Sequence, residues 1–409
     1  MTSARHLNIR RKIKEIAIGT VALLTMTVPM LSTSATAEDK KDGFLVKFLV
    51  SDLSNFSPPA TLDPNLVNPW GLTSSSTSPF WVSDNNAGVA TLYNTSGTKQ
   101  GLTVSIPNPV DPCGAVGTPT GTVFNITIVG TTGGFNIPPK TPTAPARFLF
   151  ATEDGTIVGW NPAVNPAGCA GQAGTFGIIA VDNSGNNFTN PDPASQTGAV
   201  YKGLAIATDS SGRTLLYATN FRAGKVDVFG PDFLPPFPAL PAGAFTDPSL
   251  PDGYAPFNIV EIEGKLVVTY AKQDANKHDD VAGQSHGFVN IFNLDGSGLQ
   301  RFAQRDQLNS PWGVALAPDS FGEFAGDLLI GNFGNGHINA FDLKSGRFVN
   351  KVRDPFGQAI VIDGLWSLRV GSGNANGGDA DKVYFTAGPF GETHGLFGSL
   401  CSVQSSTCP

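Results

Sequence analysis

Hydrophobic and polar residues alternate along short runs of this chain. Leu215-Leu216-Tyr217-Ala218-Thr219 and Val226-Asp227-Val228-Phe229 are examples, and such runs are bounded by Gly, Ser, Asn and Asp. Period-two patterning closed by turn formers predicts β-strands packed in stacked sheets. The strands also recur in a fixed order. From Asn68 the chain runs through an aromatic-Gly start, a short apolar strand and a second strand ending in Asp84. A Gly turn, a third strand ending in Tyr93, a Ser-Gly turn and a fourth strand follow. Segments from Ser310, Tyr201 and Pro256 keep that order, and weaker copies cover 124–183 and 363–402. Gly71, Asn125, Gly203, Asn258, Gly313 and Gly364 are taken as equivalent positions. The unit then repeats about every 50 residues, the second being stretched by Gly-, Pro- and Thr-rich inserts at 130–145 and 162–174. Four short strands at this period describe one blade of a β-propeller.

Six such units predict a six-bladed propeller of four-stranded blades, near 66–107, 120–182, 199–250, 254–305, 308–353 and 360–403. The last unit lacks a fourth strand, while the apolar run 43–52 precedes the first unit with no partner of its own. Pairing the two would close the ring and remove an open sheet edge. Two β-sandwich domains would not repeat so regularly. Composition agrees with an all-β reading. There are 48 Gly and 31 Pro, and charged residues are 14% against about 25% in ordinary domains. Helical bundles are excluded on these grounds, and 28 Phe supply too much core for disorder.

The first residues read as a targeting segment. Arg5, Arg10, Arg11, Lys12 and Lys14 precede an apolar run and Ala35-Thr36-Ala37. This predicts a signal peptide at 1–37 cut after Ala37, and hence a secreted or periplasmic single domain at 38–409. The apolar run is shorter than the ~20 residues of a membrane span and is broken by Pro29. No span is expected in the mature chain, which is read as a monomer. Cleavage removes five basic residues and only Glu15, so the remainder is more acidic than the net −7 of the whole. Such a surface repels phosphate backbones and argues against nucleic acid as a partner.

Propeller geometry places the starts of the innermost strands and the turns between strands two and three on one face, around the tunnel mouth. Ligand sites in closed β folds favour such a mouth. The residues before the reference positions are Trp70, Phe124, Lys202, Phe257, Trp312 and Asp363. The turns add Asp84, Glu153, Asn220 and Asn332, with His278, Asp279 and Asp280 in a longer fourth-unit loop. Asn and Asp at strand ends often only cap turns, and tryptophans often only pack blades. Lys202 and Asp363 are the strongest candidates, because a charge at an innermost strand is costly unless solvated, paired or used. Units three apart would set these two across the mouth from each other. Among the cysteines, Cys401 and Cys408 are close enough to pair. Cys113 and Cys169 fall on opposite faces of the ring, which argues against a bridge between them.

Two pattern matches carry little. "GQSHG" at 283–287 fits G-x-S-x-G but lies in a β loop rather than a strand-to-helix turn. "DANKHDD" from Asp274 lacks the glycine and the final acid of a calcium loop, leaving only an irregular set of Asp274, Asp279 and Asp280.

The motifs "DPNLVNPWGL", "LFATEDGTIVGWNP", "VVTYAKQDANKHDDVAG" and "SPWGVALAPDSFGEFAGDLLIGNFGNGHINAFD" together resemble an uncharacterised family of exported bacterial proteins with an NHL-like six-bladed β-propeller. The resemblance covers about Leu62 to Gly398. It implies the fold and no reaction. Two functions compete. One is a binding scaffold whose mouth face takes a small molecule, or an extracytoplasmic protein or polysaccharide. The other is a calcium-dependent hydrolase similar to the six-bladed lactonases and phosphotriesterases, which hold calcium with Glu, Asn and Asp at innermost-strand starts. Asn125, Asn258 and Asp363 would supply such a metal set here, but the glutamate is missing and Glu153 sits in a turn. A quinone-dependent dehydrogenase would want more blades and tryptophan docking motifs.

Overall fold

The computed structural model describes residues 43–408 except 55, 57–60, 115, 138–143, 167–168 and 170–173. The segment 1–37, read above as a signal peptide, lies outside the described residues. Six small sheets, antiparallel except for the short parallel strand Thr61–Leu62 at the edge of the sixth, form a ring, each innermost strand touching the next and the sixth returning to the first. Blade one comprises Pro69–Thr73, Phe80–Asp84, Val89–Tyr93 and Lys99–Ser105; blade two comprises Pro119–Phe124, Phe148–Thr152, Thr156–Trp160 and Ile178–Asp182. Blade four is Tyr254–Ile262, Lys265–Lys272, Phe288–Asn293 and Gln300–Gln304, and blade five is Pro311–Leu316, Leu328–Asn332, Ile338–Phe341 and Phe348–Lys351. This is a six-bladed β-propeller.

The expected closure is present. Phe44–Ser51 pairs antiparallel with Leu396–Ser402, outside Val383–Ala387 and Leu365–Val370, and so completes blade six. Blade three departs from the four-stranded pattern, with only Tyr201–Thr208, Thr214–Asn220 and Lys225–Phe229 in its sheet. The chain that follows carries Pro231, Pro235, Pro236, Pro238 and Pro241. Proline has no N–H to give a ladder, which disqualifies the segment as a fourth strand.

Six apolar clusters lie between successive blades, one at each interface of the ring. Between blades six and one, for example, Phe80, Tyr93, Tyr384 and Phe397 meet, each fully buried.

Every innermost strand carries the same irregularity near its start. Pro69, Pro119, Tyr201, Pro311 and Leu365 face the end of strand two, Pro256 faces Tyr270 two residues short of it, and a register shift follows each at once. The equivalent pairs are therefore Trp70-Gly71, Thr120-Gly121, Lys202-Gly203, Phe257-Asn258, Trp312-Gly313 and Trp366-Ser367. This corrects two positions of the repeat. Asn125 follows the far end of its strand, where its amide donates to the Gly134 and Ala146 carbonyls and its oxygen accepts from Thr127 N–H. Asp363 belongs to the turn before its strand, not to the strand.

Side chains of the first and second strands tie a blade to the innermost strand of the next near this end. Thr120 Oγ1 donates to Tyr201 O (3.0 Å), Thr219 Oγ1 to Phe257 O (3.0 Å), Asn258 Nδ2 to Trp312 O (2.7 Å) and Thr386 Oγ1 to Trp70 O (2.7 Å). Glycine at the reference position lets those backbones approach. A Cβ on Gly203 would lie 2.6 Å from Asn258 Cα.

The doubted bridge exists. Cys113 and Cys169 are bonded with Cα atoms 5.1 Å apart, and Cys401 pairs with Cys408. The opposite-face argument holds near the axis and fails at the rim, because each blade twists. The outer strand of blade one thereby reaches the start of the outer strand of blade two. Ser105 N–H donates to Thr175 O (2.9 Å) and Gly177 N–H to Ser105 O (2.8 Å). That contact brings the two inserted loops together.

Candidate ligand site at the tunnel mouth

The innermost-strand starts carry three indoles and a phenyl ring that meet on the axis. Trp70 stacks on Trp366 with centroids 3.5 Å apart, and Trp312 and Phe257 pack edge-on to Trp70 at 5.9 and 6.3 Å. Phe333 stacks on the other face of Trp366 at 3.9 Å. All four inner rings are at most 3% exposed and plug the tunnel at this end. Trp366 Nε1 donates to Asn68 Oδ1 (2.9 Å), whereas the indole nitrogens of Trp70 and Trp312 are buried with no partner.

Lys202 lies against this plug. Its ammonium is 4.8 Å from the Trp70 ring centre, within cation–π range. It is ion-paired with Glu153 from the strand 2–3 turn of blade two, and with Asp279 from that of blade four at 3.3 Å. The lysine side chain is 1% exposed, Glu153 10% and Asp279 65%. Burial opposes its charge, yet Glu153 and then Asp279 outweigh it and raise the pKa above its ordinary value. Asn85 Nδ2 donates to the other Glu153 oxygen (2.9 Å), and His278 Nδ1 lies 2.9 Å from Asp279 Oδ1.

A third carboxylate comes from blade six. Glu392 ends the tight segment Pro389–Glu392, in which Phe390, Gly391 and Glu392 have φ of 59°, 66° and 66°. Asn68 Nδ2 donates to its Oε2 at 2.8 Å. Burial, reinforced by the charges of Glu153 and Asp279, pushes its pKa up to about 7. Burial likewise raises Asp154 and Asp280 to about 6. The mouth thus gathers more carboxylates than cations.

The other expected residues are placed as follows. Asp84 is fully buried and accepts from Thr91 Oγ1 (2.6 Å). Asn220 donates to Asp227 Oδ2 (2.9 Å) and caps its turn by accepting from Ala223 N–H, and Asn332 donates to Gln307 O (2.6 Å). All three sit within their blades. Asp363 is exposed and accepts from Phe390 N–H (2.9 Å). It does not face Lys202, whose partners come from the adjacent blades two and four. The set Asn125, Asn258 and Asp363 is not assembled, since Asn125 lies at the far end of its strand and Asn258 is committed to Trp312 O. The His/Cys/Asp/Glu group found close together among the described residues is instead Glu153, His278 and Asp279, with ligand atoms within 4.8 Å of one another. Sequence reasoning missed Trp366, Asn68 and Glu392. The first was readable, since "LWSL" sets its tryptophan where "PWGL" and "PWGV" set Trp70 and Trp312.

Fold and site together define a six-bladed propeller with an aromatic-floored, carboxylate-rimmed mouth. Uncharacterized protein R648 of Acanthamoeba polyphaga mimivirus is 32% identical over 362 residues, spanning 88% of this chain and 80% of its own length. Uncharacterized protein L690 of the same virus is 33% identical over 362 residues, spanning 88% and 86%. The chain belongs to the family of these mimivirus proteins. The expected bacterial kinship is not what these relatives support, because they are viral. No family model matches the chain. Among solved structures, a luciferin-regenerating enzyme has a TM-score of 0.46 at 11% identity, covering 88% of this chain and 96% of its own. A PQQ-bound aldose sugar dehydrogenase from Streptomyces coelicolor scores 0.46 at 14%, covering 89% and 99%. Virginiamycin B lyase from Staphylococcus aureus scores 0.42 at 12%, covering 88% and 99%. Identity at this level says nothing of a shared activity.

Proposed function

We propose that the protein is an exported ligand-binding propeller whose mouth takes a small polar ligand presenting a cationic or donor-rich group. The observation that carries this reading is the convergence of Glu153 and Asp279 on the buried ammonium of Lys202, with Glu392 near enough to feel the charges of all three. A ligand amine or a divalent cation would offset that excess of negative charge. Export is supported by the basic and apolar leader together with two disulfides. Melting the mature protein with spermidine or calcium chloride tests the site, because a ligand that binds only the folded state raises the melting temperature. A saturable rise that Glu153→Gln and Glu392→Gln weaken is expected. Equal melts with and without both cations overturn the reading.

The second reading, a metal-dependent hydrolase, is favoured by the three ligand atoms of Glu153, His278 and Asp279. Three such donors suit a divalent cation, which would polarise a carbonyl or activate water. The Lys202 ammonium already contacts two of them, so an ion there would displace it. Lactone hydrolysis that needs calcium and is lost in His278→Ala would establish this reading; calcium-independent melting and no hydrolysis would dismiss it.

A further inference from the structure

The aromatic plug closes the tunnel at the mouth, so the rest of the tunnel is a blind cavity of about 500 Å³ behind it. Trp312 forms part of its floor, and Ser74, Ser75, Ser76, Ile126 and Glu261 lie toward the far face of the ring. Apolar surface only slightly exceeds polar surface on the wall, and Leu72, Val123, Leu204, Ile259, Val314 and Leu368 line it. One cation lines it. Arg369 donates from Nη2 to Ser74 O (3.0 Å), while its Nε is enclosed with no partner. No acidic side chain pairs with it among the described residues, and Glu261 is engaged with Gly264 N–H of its own turn (2.7 Å). Burial alone draws the guanidinium pKa down to about 10, with no neighbouring charge contributing.

Lys202 is paired with Glu153, Arg301 with Asp247 and Arg213 with Asp209, and the buried Arg222, which has no acidic partner, instead spreads its guanidinium over Asn187 Oδ1, Gly198 O and Gln196 Oε1. A half-buried guanidinium with no acidic partner and an enclosed, unpaired Nε is costly, and an apolar side chain of similar size would pack there without that cost. We propose that the blind tunnel is a second binding site, for a small organic carboxylate whose charged group sits on Arg369 and whose apolar body fills the cavity. The volume lies in the range of small-molecule pockets. A guanidinium edge matches a planar carboxylate. A phosphate dianion fits less well, because one cation does not balance its charge.

Calorimetric titration of the mature protein with octanoate tests this, with octanol and inorganic phosphate as controls. Octanoate should bind at one site, and octanol and phosphate should bind at least about tenfold more weakly. Arg369→Met should weaken octanoate by about tenfold or more while melting no lower than the parent, since it removes a half-buried charge that has no acidic partner. Arg369→Lys, which keeps the charge and loses the fork, should fall between them. Glu392→Gln should leave octanoate binding unchanged, so the outcome is independent of the mouth reading. The proposal is overturned if the parent does not bind octanoate, if Arg369→Met and Arg369→Lys both bind it like the parent, or if phosphate binds more tightly than octanoate.

Discussion

Gly71 shows what the smallest residue does at the axis. A Cβ there would run into Thr120 O and lie 2.9 Å from Thr122 N, both backbone atoms of the next blade. Gly71→Ala should therefore separate two innermost strands and cost about 2 kcal/mol or more, read as a shifted denaturant midpoint at unchanged slope. Glu392 gives a pH signature. Its native pKa of about 7 lies above the ordinary value of 4.5, so protonation favours the fold. Its stabilising contribution is complete below about 4.5 and is lost as pH rises through about 7. Glu392→Gln should match the parent at pH 4 and melt above it at pH 8; a difference that shrinks as pH rises would contradict the assignment. Lys202 was legible in the sequence because a charge at an innermost strand needs a reason. Its partners were not, since Glu153 is 49 residues away and Asp279 is 77. Arg369 was invisible for a related reason: having no acidic partner is a property of the packed tunnel, not of any motif.

The elements were more legible than the residues. Period-two runs and repeated turn formers mark strands locally, and closure follows from counting them. Register was harder, because unit two opens on "PTGTVF" without the aromatic-Gly pair, and unit six offers Asp363-Gly364 just before Trp366-Ser367. Both misplaced positions trace to matching a glycine or asparagine rather than the bulge that the strands share. The closing strand can be weighed. Phe44, Leu49 and Val50 are at most 4% exposed, and each buried side chain contributes about 1.5–3 kcal/mol. Deleting the chain through Asp52 should remove about 5 kcal/mol or more and bare the edge of Leu396–Ser402. Thermal melting with sedimentation should show early, aggregating unfolding, and a deletion that melts like the parent would refute the role.

Across the whole molecule, stability is distributed among six interblade cores rather than one centre, and the rim disulfide spans two of the blades. In the loop-entropy view a link grows in effect with the chain it closes. Cys113–Cys169 closes 56 residues and Cys401–Cys408 only 7, giving about 4 against about 2 kcal/mol. Replacing the first pair by serine should lower the melting temperature more than replacing the second. The reverse order would mean that the blade-two insert is held by its other contacts.

The pairing of Phe44–Ser51 with Leu396–Ser402 also sets a timetable. A chain made from its N-terminus presents its first strand long before the partner for that strand exists. Blades one to five can assemble in sequence from contacts local to each unit. The last step must join segments from opposite ends of the chain, the slowest kind of contact to form. Until then the first strand offers an unpaired edge to any neighbour. The ring therefore comes into being only with the arrival of its final strand.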